Sequence, residues 1–157
     1  MAMVYSIAPA TAGNLTTSAT PGTEVETFFL KPGATRAASF SAMSVIGKGA
    51  GLTAISGLVF RLGKWATAST AGTAMTPSPR DVGMQAATAT AASRPTAGST
   101  RTQLHLFGCG AAGPGGWMAR DADDMVLLNA AGALSLFCAD ACGTASMLFE
   151  FSATFQE

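Results

Sequence analysis

His105 is the only histidine in the chain, and most of the chemistry the sequence could perform turns on it. A Ser-His-Asp triad needs an imidazole as its general base, and a cupin-type metal centre needs several imidazoles. The ring lies in TRTQLHLF, residues 100–107, whose alternation reads as a strand. There it shares a side with Gln103 and Phe107, opposite Leu104 and Leu106. That is the setting of a packed strand residue, and His105 is read as structural.

The other reactive residue types are dispersed. Cys138 and Cys142 form a C-x₃-C pair with Cys109 far upstream, which is neither the C-x₂-C of a zinc ribbon nor a disulfide framework. In a reducing cytoplasm they read as small buried hydrophobes. The GKGAG run at residues 47–51 lacks the spacing and following helix of a phosphate-binding loop. Asp121, Asp123 and Asp124 in RDADD miss the calcium-loop pattern, and Arg120 offers them a partner. The nine carboxylates form no cluster of the kind general acid–base catalysis uses. We therefore expect no catalytic residue, no bound metal and no cofactor.

The elements that hold these residues come from an unusual composition. Of 157 residues, 48% are hydrophobic but only 11% charged, against about 25% charged in ordinary soluble domains. So little charge accompanies either membrane insertion or extensive burial against partners. The longest uncharged apolar stretch, residues 125–139, is interrupted by NAAG and falls short of the roughly 18 residues of a membrane helix. Nine basic and nine acidic residues cancel, so no electrostatic footprint for nucleic acid is expected. The opening MAMVYSIAP has neither the basic segment nor the apolar run of an export signal, so secretion by that route is not expected. A net charge of zero also favours self-association.

The chain breaks into short strand-like runs separated by Gly, Pro, Ser and Thr clusters. Residues 23–31 (TEVETFFLK) place Val25, Thr27 and Phe29 on one face and Glu24, Glu26 and Phe28 on the other. Residues 35–46 bring Ala38, Phe40, Ala42 and Ile46 into alternation with small polar residues. In AISGLVFRLGKW, Leu58, Phe60 and Leu62 share a face. Residues 66–80 read as a surface excursion; in residues 81–92 the alanines permit a helix, but Thr88 and Thr90 alternating with Ala favour an edge strand. The clearest run is the last, with Met147, Phe149, Phe151, Ala153 and Phe155 on one side. That period of two marks a strand with one buried face. Seven to nine such strands without helices predict an all-β, jelly-roll-like antiparallel β-sandwich over residues 21–157.

Residues 1–20 are uncharged and rich in Ala, Ser and Thr. They read as a short extended N-terminal arm that lies along a neighbour, with Tyr5, Ile7 and Leu15 as its anchors. Trp117, beside Arg120 and Asp121, is the fourth candidate contact residue, because sugar sites combine an exposed aromatic with polar groups.

The order of these segments resembles that of the jelly-roll cement, or decoration, proteins of tailed bacteriophage heads. The likeness lies in TEVETFFLKPG after an N-terminal arm, LVFRLG leading into TASTAGTAMTPSPRD, the tract MQAATATAASRPTAG, and the ending EFSATFQE. It implies a virion protein made in the bacterial host cytoplasm and placed on the capsid surface. It also implies a homo-oligomer, a trimer foremost, whose partner is the major capsid protein. The Gly-rich run 108–116 and the Cys-containing turn 138–142 depart from that pattern. They keep a second expectation open, a receptor- or carbohydrate-binding module of a phage fibre or tail.

Overall fold

A computed structural model describes residues 2–8, 15–16, 25–48, 58–65, 72–93, 101–109, 114–129, 132–138 and 148–157. Among them are thirteen strands and no helix. In chain order they are β1 (Val4–Ile7), β2 (Leu15–Thr16), β3 (Val25–Lys31), β4 (Ala38–Lys48) and β5 (Leu58–Trp65). Then follow β6 (Thr73–Met75), β7 (Ser78–Pro79), β8 (Thr90–Ser93) and β9 (Arg101–Cys109). The chain finishes with β10 (Gly115–Met118), β11 (Val126–Leu128), β12 (Ala133–Cys138) and β13 (Leu148–Gln156).

Two antiparallel sheets result. The seven-stranded sheet runs β10-β4-β13-β1-β7, with β11 also on β4 and β2 on β13; the six-stranded sheet runs β6-β8-β3-β12-β5-β9. The long strands are nested. The first pairs with the last, β1 with β13; inside that lies β3 with β12, then β4 with β10, then β5 with β9. Alternate pairs belong to alternate sheets. Folding a hairpin of strands over itself in this way gives the jelly roll, with orders β1-β13-β4-β10 and β3-β12-β5-β9 at its heart.

The core lies between the sheets, filled by Ile7, Phe28, Leu30, Phe40, Val45, Phe60, Leu62, Leu134, Leu136 and Phe155, all fully buried. The last strand behaves as its alternation predicts. Phe151, Ala153 and Phe155 are buried and Ser152 is exposed; the side chain of Phe149 lies outside the described residues.

Three β-bulges correct the faces read from simple alternation, because each inserts one residue and reverses the parity beyond it. Phe28 opposes Leu136 but Glu26 opposes Phe137, so Thr27 is the extra residue. Glu26 thereby leaves the face of Phe28 for the outer side of its sheet. Phe155 opposes Phe40 but Thr154 opposes Ala42, so Ser41 is extra, and Ala42 and Ile46 turn outward instead of joining Phe40. His105 opposes Leu62 but Gln103 opposes Gly63, so Leu104 is extra and Gln103 is not on the side of His105. At the first two bulges the extra residue's hydroxyl bonds across the strand pair. Thr27 Oγ1 donates to the Leu136 carbonyl at 3.0 Å and Ser41 Oγ to the Thr154 carbonyl at 3.1 Å.

Two further expectations are corrected. Residues 1–20 are extended at Val4–Ile7, but there they form β1 within the chain's own sandwich, between β13 and β7, not an arm on a neighbour. The boundary at residue 20 therefore cuts through the jelly roll. Residues 81–92 were read as an edge, yet β8 lies inside, between β6 and β3. The excursion at residues 66–80 supplies the short outer strands β6 and β7.

Candidate interaction face

Among the residues whose side chains are described, the outer side of the seven-stranded sheet carries four lateral rows of paired residues; by backbone register Lys48–Leu148–Thr16 continues beyond them. The longest is Met118–Ala42–Thr154–Ser6–Ser78, which crosses five strands. On one side of it lie Gly116–Ser44–Ser152 and then Ile46–Glu150; on the other lies Leu127–Ser39–Gln156–Val4. Glu150 is the only charged residue in these rows. Ile46, Met118 and Leu127 stand out from the short side chains at 47%, 74% and 62% exposure.

Local sequence explains the shape. The Ser41 bulge puts Ile46 on this face and Val45 in the core. Gly116 has no alternative here, because a Cβ at that position would stand 2.5 Å from the Met43 carbonyl oxygen. Its bare backbone leaves a shallow depression lined by Ala42, Ser44, Met118, Ser152 and Thr154.

The residues singled out from the sequence fall elsewhere. Tyr5 and Ile7 are fully buried. The Tyr5 ring stacks on Phe155 with centroids 5.3 Å apart, and its hydroxyl donates to the Gln85 carbonyl at 3.0 Å. Alternation in a strand of the chain's own sheet points both side chains inward, so they are core residues and cannot anchor an arm. Leu15 pairs through its backbone with Phe149, and its side chain lies outside the described residues. Trp117 is half-buried and stacked on two rings, Phe40 at 5.8 Å and His105 at 4.5 Å. The His105 stack links β10 of one sheet to β9 of the other. A sugar would have to compete with both rings for the indole.

The acidic run is occupied by its own turn. Asp121 Oδ1 accepts from the Asp123 and Asp124 amides, both at 3.1 Å, and Asp124 Oδ2 accepts from the Arg120 amide at 3.2 Å. That backbone bond, helped by the Arg120 guanidinium at 3.4 Å, holds the Asp124 carboxyl below its ordinary range. Among the described residues no three His, Cys, Asp or Glu side chains are arranged so that they could hold a metal ion. Cys109 and Cys138 are buried in the core, while Cys142 and residues 49–51 lie outside the described residues.

One polar cluster had no sequence signal. Glu26, turned outward by the Thr27 bulge, is nonetheless buried, and Oε1 accepts from Trp65 Nε1 at 3.2 Å and closely from the Ser135 hydroxyl. Trp65 meets Phe137 edge-on at 5.5 Å beside it. A carboxylate between Val25 and Thr27 gives no hint of partners that lie 39 and 109 residues away. Comparison with family models, curated proteins and solved structures yields no match.

Proposed function

We propose that the chain is a structural virion protein, a cement protein that lays the outer face of its seven-stranded sheet on the assembled major-capsid lattice and stabilises the head. The observation that carries the reading is the composition of that face. Its described rows hold Ser, Thr, Ala and Gly, the half-buried Val4 and Gln156, and three exposed apolar side chains with a single carboxylate. Docking such a surface strands almost no charge, the costliest group to remove from water. The resemblance noted above supplies the kind of partner, and the jelly-roll topology agrees with it.

Size sets the expected strength. Five strands spaced about 4.8 Å apart and rows about 6.8 Å apart make a plane of roughly 20 by 20 Å. That is smaller than the ~800 Å² each partner contributes to a standard stable interface. Each contact is therefore weak, and many copies on one lattice provide avidity. The test is direct. Particles recovered from producing cells should contain this chain as a stoichiometric component by quantitative mass spectrometry. Ser44→Arg and Ser152→Arg, both at exposed positions, should fold normally and fail to co-sediment with particles. Recovery of particles free of the chain, or undiminished binding of both variants, overturns the proposal.

A further inference from the structure

The four edges of the two sheets are treated unequally. β7 has two residues and ends in Pro79, β6 has three, and β10 has four that begin with two glycines. Short strands and edge prolines are the usual means of preventing edge-to-edge association. β9 is different. It has nine residues, and among the described residues only β5 hydrogen-bonds to it in the sheet. From Thr102 to its end it holds no Lys, Arg, Asp, Glu or Pro. At its Gly108 end β10 closes in, since a Cβ on Gly115 would stand 1.9 Å from the Gly108 carbonyl oxygen. Among the described residues no further strand pairs with the remainder, where Thr102, Gln103, Leu104 and Leu106 are exposed, the leucines by 37% and 58%.

We infer that β9 is a self-association edge, and that its occupant is β9 of a second copy, paired antiparallel across a two-fold axis. An open row of backbone N–H and C=O groups selects an extended strand over any other element. A strand facing its own copy must not oppose like charges, and residues 102–108 carry none. The two-fold pairing brings Leu104 and Leu106 of both copies onto one outer surface, where they shield one another and join two six-stranded sheets into one. The contact is isologous, so it closes at two copies and leaves the outer face of the seven-stranded sheet free. The inference does not depend on the cement reading.

The purified full chain is the material for the test, with mass measured by light scattering over a concentration series. The expected mass is twice the chain's 15.7 kDa. Leu106→Lys and Leu104→Lys, each at an exposed position, should weaken pairing at least tenfold without altering the thermal midpoint of the monomer. Leu127→Lys, on the other sheet, should leave the mass unchanged while reducing binding to particles, which separates this inference from the cement reading. A chain that stays at 15.7 kDa at high concentration, an odd-numbered assembly, or a dimer indifferent to both lysines each overturns it.

Discussion

Phe28 of β3 and Phe151 of β13 meet across the sandwich with ring centroids 4.7 Å apart and planes tilted by 55°. One ring comes from each sheet, and both are buried. Tilted aromatic pairs of this kind add about 0.5–1.5 kcal/mol beyond the apolar area they remove from water. The pair joins strands 123 positions apart by residue number, so it forms only when the roll has closed. Phe151→Ala should cost about 3–5 kcal/mol in urea unfolding, a typical penalty for emptying a buried aromatic site. A loss below 1 kcal/mol would mean that the sheets do not meet here.

The N-terminal strand should be indispensable to folding. Removing residues 2–7 takes away Tyr5 and Ile7, each a fully buried core residue, and exposes the edge of β13. Two such losses at about 2–5 kcal/mol each approach the 5–15 kcal/mol total of an ordinary domain. The truncated chain should show no cooperative thermal transition. Tyr5→Phe, which removes the hydroxyl's contacts with the Gln85 carbonyl and Met3 Sδ, should cost about 1 kcal/mol. A truncated chain that melts at the full-length temperature would contradict the placement of β1.

Glu26 sets up a different comparison. Glu26→Ala leaves the Trp65 indole N–H and the Ser135 hydroxyl short of an acceptor in a buried place, at about 1–3 kcal/mol for each orphaned group. Glu26→Gln keeps an acceptor oxygen and should cost less. The readout is the urea midpoint together with the emission of Trp65, which should shift in the alanine variant. Equal midpoints for all three proteins would show that the cluster is not formed.

The turn at residues 119–125 should respond to acid in one direction only. The Asp124 carboxyl is lowered chiefly by the Arg120 backbone bond. A folded value below the unfolded one contributes stability that is complete above the ordinary carboxylate range and is lost as pH falls through the folded value. The Arg120 amide resonance should therefore hold steady from neutrality down through the ordinary carboxylate range, then move at lower pH. Asp124→Asn should abolish that movement. A transition of the Arg120 amide near neutral pH would contradict the assignment.

How much of this was legible in the sequence depends on the bulges. The run from Phe151 to Phe155 alternates without interruption, and its buried face was readable directly. Phe60 and Leu62 were readable for the same reason. Ala42, Ile46, Glu26 and Gln103 were placed on the wrong side because Ser41, Thr27 and Leu104 each add a residue that alternation cannot count. Two of these three positions carry hydroxyls that bond across the pair, but Ser and Thr are so common in this chain that nothing marked them out. Tyr5 and Ile7 were read as arm residues because four residues flanked by Ala, Ser and Thr look too short to stand alone. They are strand residues because β13, nearly 150 positions later, supplies the partner. The candidate face is legible in the sequence only as a tendency, few charges and many small side chains; its rows exist through register.

If this face cements a capsid, as proposed, heating particles reveals it. A protein that binds the assembled lattice and not free subunits stabilises the assembly by mass action, by about 2.7 kcal/mol per site at 100 times its dissociation constant. Particles saturated with the chain should rupture at a higher temperature than bare particles, and Ser152→Arg should fail to raise it. Equal rupture temperatures for bare and decorated particles, with the chain shown by mass to be bound, would contradict the account.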